Sequence, residues 1–324
     1  MSARFIGHST AVTVATLLLA SCRPAMTREA FEQTYLHAPY NWAFRDEFHD
    51  ADNLLNAFDY GHAVLYETLI ATKDPVTRLE HQEFDFITTR LLLRPPSVPL
   101  EEAAIGPDYT KLVPEVAAMF EWAHMLHRQL YDIWTAPETE EWRNVEVARA
   151  IAYYRSRRDL AFSTKPKSMD LMEGQPYSLA FRRQNPKFNG LLWSYHWFQM
   201  ALYDALIDNR RWTERRAKVD TVERRFFRML DDAPRNMPAA MPMSPASAPV
   251  FTARYPSAAI IFDNLHSLHD VVSDILSSPS VPLREKRSKI LEAAAAYRDD
   301  STAVISESEW REMSLMMAPK LPPL

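Results

Sequence analysis

Cysteine occurs once in the 324 residues, at Cys22, and glycine only five times. A lone cysteine excludes an internal disulfide and a thiolate-rich metal site, so any metal would have to rest on His, Asp, Glu or Met. Scarce glycine beside abundant Ala, Leu, Glu and Arg favours helix over sheet, and no alternating apolar–polar stretch of useful length argues for a strand. Neither sign of charge dominates: 37 Lys and Arg stand against 42 Asp and Glu, a formal net charge of −5. That balance excludes a general nucleic-acid binder. A Gly-rich phosphate loop, a serine nucleophile elbow and a Cys–His pair are all absent. The apolar run AVTVATLLLA near the N-terminus is too short to span a bilayer.

That run follows Arg4 and ends at Leu19-Ala20-Ser21-Cys22, which resembles the bacterial lipobox. The resemblance implies a signal peptide over residues 1–21, lipidation of Cys22 as the first mature residue, and attachment to a membrane through that lipid. Arg23 stands where lipoproteins retained at the inner membrane carry Asp, which implies the periplasmic face of an outer membrane. No feature of the sequence names a protein partner.

Residues 22–44 read as a tether with an aromatic-rich end. Amphipathic helical patterns follow at about 45–72, 75–93, 113–134, 138–160, 187–208, 213–231, 256–276, 283–299 and 306–317. Proline clusters separate them at 94–99, 165–167 and 231–249. The class expected is all-α. The stretch 231–249 reads as a mobile loop with incidental Met237, Met241 and Met243, since no His or Cys joins them as a copper ligand. The basic helix that follows Arg211 reads as a solvated outer face, and His81 as a surface residue.

The chain contains an internal repeat. TKLVPEVAAMFEWAHMLHRQLYDI (110–133) lies without gaps over TARYPSAAIIFDNLHSLHDVVSDI (252–275), with Pro114/Pro256, Phe120/Phe262, His124/His266, His127/His269 and Asp132/Asp274 among the identities. Upstream, LYETLI (65–70) pairs with LYDALI (202–207); downstream, AIAYYR (150–155) pairs with AAAAYR (293–298). The expectation is a duplicated helical domain over 45–300, its units at about 45–160 and 185–300 and related by a pseudo-twofold, followed by a C-terminal helix and tail at 301–324.

The acids and imidazoles the repeat retains are Glu67, Glu121-x-x-His124, Asp204 and Asp263-x-x-His266. An acid and a His at i and i+3 share one helix face and can reach one ion. This order resembles the ligand pattern of the ferritin-like di-iron carboxylate superfamily. The resemblance implies a di-iron or other divalent metal pair, held by Glu67, Glu121, His124, Asp204, Asp263 and His266, and oxidative chemistry such as dioxygen or peroxide activation or ferroxidation. His127 and His269, one turn further on, are candidate extra ligands or ligand supports. Asp132 and Asp274 lie about 16 Å up the helix from Glu121 and Asp263, so they are expected to cap a neighbouring helix or to hold a His ring. Tyr66 and Tyr203 are candidate hydrogen-bond donors to the site. His62 and His196 offer an alternative cofactor, haem, as axial ligands, although the repeat aligns His62 with Gln199 and His196 with Asp59. The competing reading is a non-enzymatic periplasmic scaffold, or a small-molecule or haem-binding lipoprotein whose polar stripe is structural.

Overall fold

The computed structural model describes residues 35–207 and 211–324. The proposed signal peptide and Cys22 lie outside the described residues. What is described is all-α, without a strand; its one β-type pairing is an isolated antiparallel bridge between Lys167 and Val304.

The helices that position the interior are α1 (Ala43–Glu47), α2 (His49–Ala71), α3 (Glu102–Ile105), α4 (Pro107–Leu112), α5 (Pro114–Thr135), α6 (Glu140–Ser156), α7 (Ala180–Gln184), α8 (Pro186–Ile207), α9 (Trp212–Leu230), α10 (Ser244–Ser247), α11 (Pro249–Arg254), α12 (Pro256–Ser277), α13 (Leu283–Arg298) and α14 (Glu307–Met316). The sequence marks their ends with proline rather than glycine. Pro107, Pro114, Pro186, Pro249 and Pro256 each open a helix at its first position, where the missing N–H has no partner to lose. Pro75, Pro137 and Pro279 lie just beyond the ends of α2, α5 and α12 and prevent their continuation.

Four long helices form the centre. α2 and α5 each pack against both α8 and α12, so every helix of the first repeat lies on the two from the second. α6, α9 and α13 cover α5, α8 and α12 from outside. This enclosure buries α5 from Met119 to Thr135 and α12 from Ala258 to Leu276 on every side. A helix buried all round is normally apolar all round. These two instead carry Glu121, His124, His127, Asp132, Asp263, His266, His269, Asp270 and Asp274 into the interior, where each polar group needs a partner.

Aligned residues of the two repeats find the same partners. Trp42 and Leu179, just ahead of α1 and α7, both adopt the left-handed conformation (φ 78° and 64°), a strained setting for side chains of this size. Asp132 holds the first strained turn: its carboxylate accepts the backbone N–H of Trp42 and of Phe44, each at 2.9 Å. Asp274 does the same for Leu179 (2.6 Å) and Phe181 (2.8 Å). The two acids therefore secure helix starts.

The segment 231–249 departs from the mobile loop expected of it. Met237, Met241 and Met243 are buried, and Met237 packs so tightly on α8 that a Cβ at Gly190 would come within 2.8 Å of it. A proline-rich composition limits backbone freedom as well as helix formation, and here thioether side chains anchor the segment. His81 is exposed, as expected. α9 turns Val219, Phe226 and Met229 inward while most of its arginines face out.

Candidate metal centre

At the crossing of α2, α5, α8 and α12, six imidazoles lie in one continuous group: His62, His124, His127, His196, His266 and His269, all buried. Ring centroids are 4.3 Å apart for His62 and His269, 4.2 Å for His196 and His266, 5.3 Å for His62 and His196, and 5.4 Å for His124 and His269. Phe58, itself stacked on Tyr195, packs against this group from one side, Phe120 and Phe262 from others.

Within the group, one ring nitrogen from each of His62, His196 and His269 lies within 4.8 Å of the other two. Both nitrogens of His62, Nδ1 of His196 and Nε2 of His269 are buried without a hydrogen-bond partner. The remaining pair, His196 Nε2 and His269 Nδ1, face each other at 3.4 Å. Leaving a buried polar atom unsatisfied costs about 1–3 kcal/mol, and native interiors rarely concentrate several at one point. Burial pushes the His62 imidazolium down to about 3 and holds His196 and His269 well below the ordinary histidine range, both also through the imidazoles beside them. All three are then neutral at pH 7, the form that ligates a metal.

A second set, Asp59, Glu102 and His124, also places one ligand atom from each residue within 4.8 Å of the others. His124 Nδ1 lies 3.9 Å from Glu102 Oε1. Small cavities of about 10 Å³, each enough for a single water molecule, flank the imidazole group. One is bounded by His62, His196, His269, Leu65, Tyr66 and Trp193, the other by Asp59, His124, His127, Arg128 and Gln199.

Of the six residues expected as ligands, only His124 belongs to either set. Glu67 is half-buried and accepts the backbone N–H groups of Asp108 (2.9 Å) and Tyr109 (3.3 Å) at the start of α4. Asp204 accepts those of Val250 (3.0 Å) and Phe251 (2.8 Å) at the start of α11. Asp263 takes the Ser244 amide and hydroxyl on Oδ1 and the Trp310 indole N–H on Oδ2, joining α12 to α10 and α14. Glu121 is buried on α5 outside both sets. His266 stays in the imidazole group, its Nε2 3.1 Å from Gln199 Oε1. Glu67, Asp204 and Asp263 therefore hold helix starts, which is reason enough to keep an acid at those three positions. The set the sequence reading placed at the metal does not converge.

The tyrosines and the second histidine of each repeat join the halves crosswise. The Tyr203 hydroxyl lies 2.8 Å from His127 Nδ1 and 3.3 Å from the His127 carbonyl, while the Tyr66 hydroxyl donates to the His269 carbonyl at 3.3 Å. The His127 ring stacks on Phe262, and His269 meets Phe120 edge to face.

In the sequence His62 and His196 stand out only as candidate haem ligands, Asp59 only as the position aligned with His196, and Glu102 not at all. The signal was there in another form. Asp59-x-x-His62 and His196-x-x-Gln199 occupy aligned positions, so a polar i, i+3 pair recurs with its residue types changed. In space Gln199 meets His266, and Asp59 meets His124. Comparison of the chain with family models, curated proteins and solved structures finds no match in any of the three.

Proposed function

We propose that this protein is a metalloprotein that binds a first-row transition-metal ion through His62, His196 and His269 and uses it in oxidative chemistry on a very small molecule. The observation that carries the reading is the convergence of three buried, neutral imidazoles whose nitrogens lack other partners. Imidazole suits Zn, Cu, Fe and Ni. Three protein ligands are the pattern of a reactive site, which keeps one position open, rather than of a closed structural one. The adjoining cavity of about 10 Å³ has room for one water-sized ligand. It does not admit a macrocycle, which ranks a metal ion above haem. The imidazole-rich donor set likewise replaces the carboxylate-bridged iron pair that the sequence pattern implies.

The lipid anchor and the outer-membrane address are part of this proposal and rest on residues 1–23 alone. Among the described residues no helix is long and apolar enough to cross a membrane.

The structural reading has its own support, since Glu67, Asp132, Asp204, Asp263 and Asp274 all serve as hydrogen-bond acceptors that fix helix ends or contacts. Cobalt(II) distinguishes the two. Titration of the purified protein should give the visible absorption of nitrogen-ligated cobalt, lost in His196→Ala. A colourless, saturated titration of folded protein would favour the structural reading.

A further inference from the structure

We propose a second cation site beside the first, formed by Asp59, Glu102 and His124 and suited to a divalent ion that prefers oxygen ligands, Mn(II) or Fe(II). The inference rests on the metal reading of the imidazole group, and extends it from one ion to an asymmetric pair.

The three side chains come from three elements, α2, α3 and α5, and all are buried. Their ligand atoms lie within 4.8 Å of one another, close enough to close on one ion. Two carboxylates and one imidazole form a harder donor set than three imidazoles, and carboxylate-rich sites favour Mn and Fe over Cu. The sets adjoin: the His124 ring centroid is 5.8 Å from that of His62 and 5.4 Å from that of His269.

Charge suits the second ion to its own ligands: Asp59 and Glu102 together offset one divalent ion in the interior. Arg128 is the buried cation on this side. It donates to Asp52 (2.7 Å), Asn56 (2.9 Å) and Asp59 (3.4 Å), the last also an ion pair.

The two sets are not copies of each other. The positions of Asp59, Glu102 and His124 align with His196, Ser244 and His266, of which only His196 belongs to the three-imidazole set. Ser244 is committed to Asp263, so the oxygen-donor set forms in one repeat.

The test loads the purified protein with one equivalent of Co(II) and then titrates Mn(II), followed by loss of the free-ion electron paramagnetic resonance signal. We expect wild type to take up one equivalent of Mn(II). Glu102→Gln and Asp59→Asn, which preserve side-chain volume, should each weaken that uptake at least tenfold while leaving the cobalt absorption unchanged. Undiminished free Mn(II) over cobalt-loaded wild type overturns the second site and leaves the first standing, as does uptake that neither substitution alters. Manganese uptake without cobalt binding keeps the second site and defeats the first. Uptake of neither metal defeats both.

Discussion

His196 Nε2 and His269 Nδ1 face each other across 3.4 Å at the centre of the helical bundle, one from α8 and the other from α12. Two neutral imidazoles can share one proton at that distance, but their remaining ring nitrogens are then left buried and unpaired. A cation bound as proposed would resolve the arrangement by accepting lone pairs from both rings and from His62.

This predicts a stability effect that changes sign with metal. In metal-free protein His62→Leu should be neutral or stabilising, because an apolar side chain of similar size replaces a ring whose two nitrogens lack partners. With metal present the order reverses. Wild type gains about 2.7 kcal/mol at an ion concentration one hundred times its Kd, and the variant gains nothing. Thermal melts with chelator and with metal read both signs.

Asp132→Asn should cost about 1–3 kcal/mol, since an amide turns one N–H pair toward a backbone N–H that the carboxylate accepted. Asp274→Asn should cost a similar amount for the same reason. Neither should alter metal stoichiometry.

The same variant has a pH signature. Burial pushes the Asp132 carboxyl up to about 7, against the pull of the Phe44 and Trp42 amides. The folded state then keeps a proton that the unfolded chain releases near the ordinary value of 3.8. Between those values this group's stability contribution is lost as pH rises. The stability difference between wild type and Asp132→Asn should therefore narrow from pH 4 to pH 7 and level off above it. Chemical denaturation across that range measures it; a gap that widens contradicts the assignment.

Glu67→Gln and Asp204→Asn separate the helix-end role from the ligand role. Each should cost about 0.5–2 kcal/mol, the usual range for a lost capping acceptor, and leave metal content unchanged. Loss of metal in either would restore these acids to the centre. Tyr203→Phe, which removes the 2.8 Å contact with His127, should cost about 1 kcal/mol, more than Tyr66→Phe.

The helices were legible because their signals are local. Proline at the first turn and apolar periodicity placed α5 and α12 within a residue or two of their observed ends. The repeat in the sequence singles out His124, His127, His266 and His269, all of which lie in the imidazole group. Its acids misled, because a residue retained to hold a strained helix start leaves the same trace in a sequence as one retained to hold a metal. Asp132 and Asp274 were expected to serve as caps and do so; Glu67 and Asp204 play a related part at α4 and α11. The acids Asp59 and Glu102 were hidden because their aligned positions carry His196 and Ser244, and only the fold brings α2 and α3 to His124 on α5.

The most direct test is the metal content of folded protein after exposure to Mn, Fe, Co, Cu and Zn and removal of loosely held ions, measured by mass spectrometry beside a His62→Ala/His196→Ala/His269→Ala variant of unchanged helical circular dichroism. The account predicts at least one tightly held ion per chain in wild type and none at the three-histidine site in the variant. Wild type that holds no ion of any kind, and melts identically with and without chelator, would contradict it.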